Sequence, residues 1–399
     1  MLKNTMSLVS LVVAVAFSLT VQTVETKAAW GDFDTSFGFQ GVAGDTVTGH
    51  YPKSIAVQPD GKILVTGYKD TIFGDSGFFL RRYLSNGQLD TAFGNNGAAI
   101  IPGILHGNGN YGGRKILVQS NGKITVAGTA NGYYAVWQFN SNGRNDLTFG
   151  QSGLQVLTSY PVVSYLYETP VINIQSGKIL LGIPKERENR IILLRLNSNG
   201  TNDNSFGNLG ESLTTMVFFG GFGVIVESNG KITVGGTINA NLTYPTRGLE
   251  RKLANGQIDL SFFPTYFYPN HAGQTRPGLV KLATREYVMR VAEMAVLAPE
   301  LDKFSSSGDF VSTLEFPAIA ADCPSVFTNQ NDGKLLVNVG EQGTLFRFNA
   351  NLDAGTMETY NCSNISGISY PKAAIQTDDK MIVVGIVNNY LMLARVLPN

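Results

Sequence analysis

Three histidines are the residues of this chain with the greatest capacity for metal binding or proton transfer. His50, His106 and His271 each precede a recurring Lys-containing turn by a similar distance, so a repeated fold would bring all three to one face. Neutral imidazole is a common metal ligand, and its charge changes near neutral pH. Two interpretations stay open: a convergent metal or acid–base site, or ordinary histidines in exposed loops.

Consecutive aromatic residues give a second candidate. Tyr266, Phe267 and Tyr268 stand in another variable segment, shortly before His271. Aromatic side chains suit the binding of sugars and peptides, although they also pack between sheets. We therefore predict a contact loop at 266–271, joined on the same face by His50 and His106. Packing in the structural core is the alternative interpretation.

Other chemistry is weakly represented. Lys and Arg total 30 and Asp and Glu total 30, so the formal net charge is zero, and no basic cluster suits a nucleic acid. No nucleophile stands in the sequence context of a catalytic triad, and no Gly-rich phosphate loop leads from a strand into a helix. We assign no catalytic residue, no metal ligand and no cofactor, and we expect no nucleic-acid partner.

The elements that position the candidates come from one recurring unit. The clearest copy spans 54–94, where apolar residues alternate with small or polar ones in four strands at about 54–58, 62–69, 78–84 and 88–101. Asp60-Gly61 and Asn86-Gly87 predict tight primed turns. Six copies align on a turn lysine and a degraded seventh lies near 284–287; the lysines are Lys62, Lys123, Lys178, Lys231, Lys334 and Lys380.

Seven such units predict an all-β, seven-bladed β-propeller of four-stranded antiparallel blades over 30–399. Residues 32–38 match 88–94, the start of a fourth strand, whereas the last copy stops after its third strand. The N-terminal strand should therefore pair with the C-terminal blade and close the ring.

The motifs also resemble a known repeat. Asp60-Gly61-Lys62, Arg82-Tyr83, Asn86-Gly87, Leu89-Asp90 and Phe93-Gly94 are similar to the delta-sixty repeat of bacterial β-propeller-like proteins. The resemblance covers nearly the whole chain after its N-terminal segment, and it implies the architecture without shared catalytic residues. The fifth copy, with Arg285-Glu286, and the seventh, with Asp378-Asp379, depart most from it.

A meander gives the ring two different rims. One, the repeat rim, carries the turns between first and second and between third and fourth strands. The other, the variable rim, carries the remaining connections and the candidate residues, and loops there are the usual place for function. Four recurrent aspartates on the repeat rim should accept backbone N–H bonds in their turns, with calcium binding as the weaker alternative; they are Asp90, Asp146, Asp203 and Asp259.

The N-terminus has the pattern of an export signal. Lys3 precedes an apolar stretch at 8–19 and small residues at 26–29, which predicts a signal peptide at 1–29 and a secreted, periplasmic or cell-surface protein. No second membrane-length stretch follows, so we expect no integral membrane segment after cleavage and a monomer. In an oxidising compartment Cys323 and Cys362 would form a disulfide, two unpaired thiols being the alternative.

Together these features predict an exported propeller that binds a peptide, protein or glycan through its variable rim. Two alternatives stay open: a secreted hydrolase or lyase that uses rim histidines or carboxylates, with or without a metal, and a purely structural envelope component.

Overall fold

The computed structural model describes residues 32–70, 76–99, 112–162, 170–185, 188–238, 246–262, 265–267, 278–291, 300–315, 327–338, 345–349, 351–352, 357–360 and 368–397. Their regular elements are β-strands, grouped in seven antiparallel sheets that form the blades of a seven-bladed β-propeller. The predicted fold class is confirmed. No helix in the described part of the chain is long and apolar enough to cross a membrane.

The blades follow one another along the chain. Blade 1 contains β2 (His50–Val57), β3 (Ile63–Asp70) and β4 (Ser76–Tyr83). Blade 2 contains β5 (Gly112–Val118), β6 (Ile124–Ala130), β7 (Tyr133–Phe139) and β8 (Leu154–Pro161). Blade 3 contains β9 (Val171–Gln175), β10 (Lys178–Lys185), β11 (Arg190–Leu196) and β12 (Glu211–Leu213). Blade 4 contains β13 (Phe218–Val226), β14 (Ile232–Ile238), β15 (Thr246–Lys252) and β16 (Thr265–Phe267).

Blades 5 and 6 are built from shorter strands than blade 7. Blade 5 contains β17 (Gly278–Lys281), β18 (Tyr287–Val291), β19 (Glu300–Phe304) and β20 (Phe310–Glu315). Blade 6 contains β21 (Phe327–Asn329), β22 (Leu335–Asn338), β23 (Leu345–Phe348) and β24 (Glu358–Tyr360). Blade 7 contains β25 (Ser369–Ile375), β26 (Met381–Val387) and β27 (Tyr390–Val396), completed by β1 (Val42–Thr48) from the N-terminal part.

Ring closure occurs as predicted. Strand β1 pairs antiparallel with β27, with Val42 opposite Ala394 and Ala43 opposite Leu393. The backbone N–H of Asp34 also donates to the carbonyl of Arg395 at 2.9 Å. The N-terminal segment thus supplies the fourth strand of the last blade and leaves no gap in the ring.

The hydrophobic core lies between blades rather than inside any one of them. First strands of neighbouring blades lie against each other and surround the axis. Between blades 1 and 2, for example, Phe78 stacks on Trp137 with ring centroids 4.5 Å apart, and both are buried. Each sheet therefore buries both faces only when its neighbours are present, which is why the apolar residues recur in every copy.

A recurring contact, here named the rim clasp, joins successive blades at the repeat rim. In blade 1, Arg82 Nε donates to Asp90 Oδ2 at 2.8 Å, its guanidinium lies 4.3 Å from the ring centroid of Phe93, and Nη1 donates to the Ser141 carbonyl of blade 2. The same arrangement recurs in three other blades, as Arg195–Asp203–Phe206, Arg251–Asp259–Phe262 and, across the ring closure, Arg395–Asp34–Phe37.

The recurrent aspartates accept backbone N–H bonds in their turns, as predicted. The donors are the residues two positions later, at 3.2 Å for Asp90, 3.1 Å for Asp146, 3.3 Å for Asp203 and 3.1 Å for Asp259. Burial alone would raise the pKa of Asp203, but hydrogen bonds from Lys178, Ser205 and Arg195 outweigh it and lower that pKa. Asp203 is therefore ionised at neutral pH and serves as an acceptor in its turn.

The glycine that follows the recurrent phenylalanine also links blades. Gly94 N–H donates to the Asn142 carbonyl of blade 2 at 2.7 Å, with φ at 57°. A Cβ at this position would lie 1.9 Å from the Ala98 carbonyl oxygen, so only glycine fits.

Two local predictions are wrong. The Asp60-Gly61 turn is a type I turn closed by Gly61 N–H to the Gln58 carbonyl at 2.9 Å, followed by left-handed Gly61, because the ring of Pro59 fixes φ near −65°. Asn86-Gly87 forms the same three-residue loop, with Gly87 N–H on the Leu84 carbonyl. Of the fourth strand predicted at 88–101, the described residues 88–99 form isolated bridges, since positive φ angles at Gly94, Asn96 and Gly97 interrupt the extended backbone.

Candidate functional site at the variable rim

His50 is the predicted site residue that the structure describes best. It begins β2 at the variable rim, half-buried, with Nδ1 2.8 Å from the Thr48 carbonyl and its ring 4.8 Å from that of Phe79 in an edge-on contact. Burial, followed by the nearby cations Arg81 and Lys69, lowers the pKa of His50. The imidazole is therefore a neutral, anchored group at neutral pH.

Two residues of the predicted aromatic contact loop lie in a strand instead, and their role in binding stays a prediction. Tyr266 and Phe267 lie in β16, the outer strand of blade 4, where Tyr266 pairs with Gly248 and Phe267 with Arg247. Aromatic and β-branched residues favour strands, so Thr265-Tyr266-Phe267 extends the sheet instead of leaving it. Their position is the outside of the ring, away from the axis.

The remaining predicted site residues lie outside the described residues. They are His106, Tyr268, His271, Cys323 and Cys362, together with the signal-peptide segment 1–29. The predicted histidine convergence, the disulfide and the cleavage therefore stay predictions. Within the described ranges, no three His, Cys, Asp or Glu side chains are grouped so that they could hold a metal ion.

Three tyrosines at the variable rim, here named the tyrosine patch, form the most distinctive surface feature beside His50. Tyr51 of β2 stacks on Tyr68 of β3, with centroids 4.9 Å apart and an interplanar angle of 15°. Tyr370 of β25 meets Tyr51 edge-on at 5.7 Å and is 53% exposed. The patch thus spans the junction of blades 7 and 1 with one ring largely in solvent.

Three lysines near the starts of the innermost strands accompany the patch, and we call them the strand-start lysines. Lys53 Nζ lies 5.2 Å from the ring centroid of Tyr68, a cation–π contact. Lys115 and Lys372 occupy equivalent positions directly after the irregularities in β5 and β25, opposite Ala127 and Val384. Blades 7, 1 and 2 therefore each present a cation beside the axis at this rim.

Lys115 combines exposure with an unusual electrostatic environment. Its side chain is reached by solvent, yet the surrounding protein desolvates it and lowers the pKa of the ammonium. No carboxylate of the described residues forms an ion pair with it, and burial is the sole cause of the shift. An accessible but enclosed cation of this kind is what a side chain in a narrow axial channel shows, and it attracts anions.

Sequence reasoning missed the tyrosine patch and the strand-start lysines. They sit inside the repeated strands, where the alternating pattern indicates structural positions. A position-by-position comparison of the copies carries the missing signal, because the residues equivalent to Lys115 in blades 1, 3, 4 and 5 are small or aliphatic: Ser54, Val171, Gly223 and Gly278.

Comparison with known proteins agrees with the fold. A family described as "Domain of unknown function (DUF5122) beta-propeller" matches residues 58–93, 119–149 and 185–206, which supports membership of a propeller family. No curated protein matches the chain.

Solved structures show the same architecture at low sequence identity. A catalytically inactive virginiamycin B lyase from Staphylococcus aureus, with quinupristin, is 14% identical with a TM-score of 0.53, covering 89% of this chain and 98% of the other. A streptogramin B lyase gives 14% identity, a TM-score of 0.53 and coverage of 89% and 97%. At this identity the likeness shows the fold alone.

Proposed function

We propose that the protein is an exported binding module of the delta-sixty repeat type that takes a peptide, protein or glycan at the variable-rim mouth of its channel. The observation that carries the proposal is the combination of a stacked tyrosine patch, whose outermost ring is 53% exposed, with the strand-start lysines next to it. Tyrosine is enriched at binding hot spots because it offers a large rigid surface at a small entropic cost.

The charge of the mouth favours an acidic partner. Lys53, Lys115 and Lys372 contribute cations, whereas Asp70 is engaged as the acceptor of a hydrogen bond from Tyr51, a contact that raises the pKa of that tyrosine. Tyr51 therefore stays protonated at neutral pH and adds no negative charge, so the three lysines outnumber the Asp70 carboxylate. An acidic peptide segment, with carboxylates for the lysines and side chains that stack on the tyrosines, is the ligand class that we favour.

A binding experiment with matched probes tests this function. Fluorescence anisotropy is measured with a labelled Glu/Tyr-rich decapeptide, with the same peptide carrying Gln in place of Glu, and with polygalacturonate as a competitor. We expect the acidic peptide to bind at least about tenfold more tightly than the Gln peptide. If polygalacturonate displaces the labelled acidic peptide and the unlabelled peptide does not, the ligand is reassigned to acidic glycans. If no probe binds, the proposal is contradicted.

Variants locate the site. Tyr370→Ala should weaken binding by about 1–3 kcal/mol if the ring is a central anchor, and Lys115→Gln should weaken it and reduce its dependence on salt. Tyr390→Ala is the matched control, since Tyr390 is 46% exposed on the third strand of the same blade, further from the axis. Equal effects of Tyr370→Ala and Tyr390→Ala would argue against this site.

A further inference from the structure

The opposite mouth of the ring contains a cavity in the part of the chain where the repeat is least regular. Its volume is about 420 Å³, and it opens on the repeat rim among the turns that follow the first strands of blades 4, 5 and 6. Cavities of about 300–1,000 Å³ are the usual size for small-molecule sites. This cavity lies at the other end of the axis from the tyrosine patch and is independent of it.

The residues that line the cavity differ from those at the same repeat positions in the other blades. The position of Val57, at the end of the first strand of blade 1, is aliphatic in five blades, as Val57, Val118, Ile174, Val226 and Ile375. Blades 5 and 6 have Lys281 and Asn329 instead. The next residue is glutamine in five blades, as Gln58, Gln119, Gln175, Gln330 and Gln376, whereas blade 4 has Glu227 and blade 5 has Leu282. All four departures line the cavity.

In blade 3 this glutamine bridges the space to the next blade. Gln175 Nε2 donates to the carbonyls of Gly230 and Ala254 in blade 4, at 2.6 and 3.1 Å, and its Oε1 accepts from Arg195. Leu282 has no amide with which to bridge in this way. The cavity lies beside Leu282, between blades 5 and 6.

The altered residues form a fixed and electrically balanced wall. Lys281 Nζ donates to Glu227 Oε2 at 2.7 Å, and the other oxygen of Glu227 accepts from Tyr287 and Thr233 at 2.5 and 2.9 Å. Burial opposes ionisation of Glu227, but the bonds from Lys281, Tyr287 and Thr233 outweigh it and lower its pKa. One cation and one anion therefore cancel.

Gln330 contributes a hydrogen-bond acceptor to the cavity wall. It is 5% exposed, and its buried Oε1 has no hydrogen-bond partner among the described residues. The same holds for Gln58 and Gln376 in blades 1 and 7, but of these three glutamines only Gln330 lines the cavity. A buried carbonyl of this kind costs free energy unless a donor reaches it. Asn329, which donates Nδ2 to the Lys281 carbonyl at 2.7 Å, stands directly before it in the same wall.

We infer that this cavity is a binding site for a small uncharged polyhydroxylated molecule, a neutral mono- or disaccharide. Amide, ammonium and carboxylate groups of zero net charge supply the directed hydrogen bonds that hydroxyl groups need, and Ile225, Val226 and Leu282 supply an aliphatic surface for the C–H face of a sugar ring. A charged ligand would gain no counterion in a wall whose only two charges lining the cavity neutralise each other.

Binding of defined sugars tests the inference. Isothermal titration calorimetry and saturation-transfer NMR are run on the exported protein with glucose, galactose, N-acetylglucosamine, maltose and cellobiose, and with glucuronic acid and glucosamine as charged counterparts. We expect at least one neutral sugar to bind at least about tenfold more tightly than its charged counterpart. Absence of binding by all five neutral sugars, or a preference for the charged ones, overturns the inference.

Variants of the residues that line the cavity test whether these side chains bind the sugar. Glu227→Gln with Lys281→Val rebuilds the regular residues and removes both charges together, so no buried charge is left without its counterion. Gln330→Met keeps the side-chain length but removes the unsatisfied carbonyl, so it should fold as well as the wild type. Each should weaken binding by at least about tenfold.

Controls separate loss of the site from loss of the fold. Lys62→Ala changes an exposed lysine of the same rim that pairs with Asp60 at 2.8 Å in blade 1, and it should leave sugar binding unchanged. Thermal unfolding of each variant is followed by circular dichroism. Wild-type affinity in a folded Gln330→Met variant and in the folded double variant would overturn the inference.

Discussion

Blades 3 and 5 solve one structural problem, attachment to a neighbouring sheet, in different ways. Blade 3 uses the rim clasp: Arg195 Nε contacts Asp203 at 2.6 Å, and Nη1 donates to the Ala254 carbonyl of blade 4 at 2.8 Å. In blade 5 the arginine position is Lys303, which pairs with Glu286 of its own blade at 2.9 Å. The preceding junction, between blades 4 and 5, keeps a rim clasp through Arg251 and is supplemented from inside the protein.

That internal attachment is a buried ion cluster. Arg247 of blade 4 is 1% exposed and contacts Glu300 at 2.8 Å and Asp302 at 2.5 Å, both on β19 of blade 5. Arg247 occupies a position that other blades fill with apolar or aromatic residues, namely Phe78, Tyr134, Ile191 and Leu391. The rim clasp places its charges at the repeat rim, whereas at the junction of blades 4 and 5 charged residues stand in the core and a cavity opens nearby.

The largest effect is expected at the ring closure, where a rim clasp joins the N-terminal segment to blade 7. Deletion of residues 30–44 removes Asp34 and the start of β1, and with them the contact of Arg395 Nε with Asp34 at 2.9 Å. The edge of β27 would then be open to pairing with other chains. We expect aggregation on size-exclusion chromatography. A monomeric product with unchanged thermal unfolding would contradict this role of the N-terminal segment.

Removal of Arg247 should be the most damaging single change in the irregular region. Arg247→Met leaves Glu300 and Asp302 buried without their cation, and loss of one partner from a buried pair costs about 3–5 kcal/mol. Arg195→Met in the regular clasp should cost less, because Lys178 Nζ, 2.7 Å from Asp203 Oδ2, leaves that carboxylate with a cation. Urea denaturation measures both variants.

A triple variant distinguishes charge imbalance from loss of packing. Arg247→Met with Glu300→Leu and Asp302→Leu removes the cluster as a unit, and replacement of buried ions by apolar residues is often neutral or stabilising. It should recover most of the stability that Arg247→Met loses. A triple variant less stable than the single one would show that the cluster itself stabilises the blade junction.

Opposite pH dependences should mark the two regions. Although burial opposes ionisation, the bonds from Ser36 and Lys380 and the charge of Arg395 lower the pKa of Asp34 to about 2, from 3.8. Its ionisation therefore stabilises the fold above about pH 4, by roughly 2 kcal/mol, and this contribution is lost as pH falls through about 2. Burial raises the pKa of Asp302 despite Arg247, so stability should increase as pH falls through that raised pKa.

Asparagine variants isolate the pH-dependent contributions of Asp34 and Asp302 to stability. Relative to Asp34→Asn, the wild type should be more stable at pH 7 and lose that advantage near pH 2. Relative to Asp302→Asn, it should gain stability on acidification from pH 7. Urea denaturation at a series of pH values checks both, and slopes of the same sign in the two comparisons would refute the distinction between rim and core carboxylates.

The same contrast explains what the sequence could predict. The blade number, the ring closure and the turn aspartates followed from Lys62, Asp90 and their equivalents, because a repeated local pattern encodes a repeated local structure. Tyr266 was misplaced because a strand end and a loop start share aromatic residues. Arg247, Glu227 and Lys115 could not be predicted from a local sequence pattern. Arg247 and Glu227 act by contacting residues of another blade, and Lys115 by its place beside the axis. Such spatial relations are absent from any single copy of the repeat.

The smallest effect is expected at an exposed turn position where one copy of the repeat has leucine and other copies have polar residues. Leu209 is 67% exposed with φ at 52°, a left-handed conformation that Gln40, Asn96 and Ser152 adopt at the equivalent positions. This conformation costs most L-residues roughly 1–2 kcal/mol, and asparagine tolerates it better. Leu209→Asn should therefore raise the free energy of unfolding by about 0.5–1 kcal/mol, measured by urea denaturation. Leu147→Asn is the matched control, because Leu147 is 75% exposed and is not among the residues of positive φ. Equal gains in both variants would attribute the effect to reduced surface hydrophobicity, whereas a gain confined to Leu209→Asn would show that the repeat's own residue relieves the backbone.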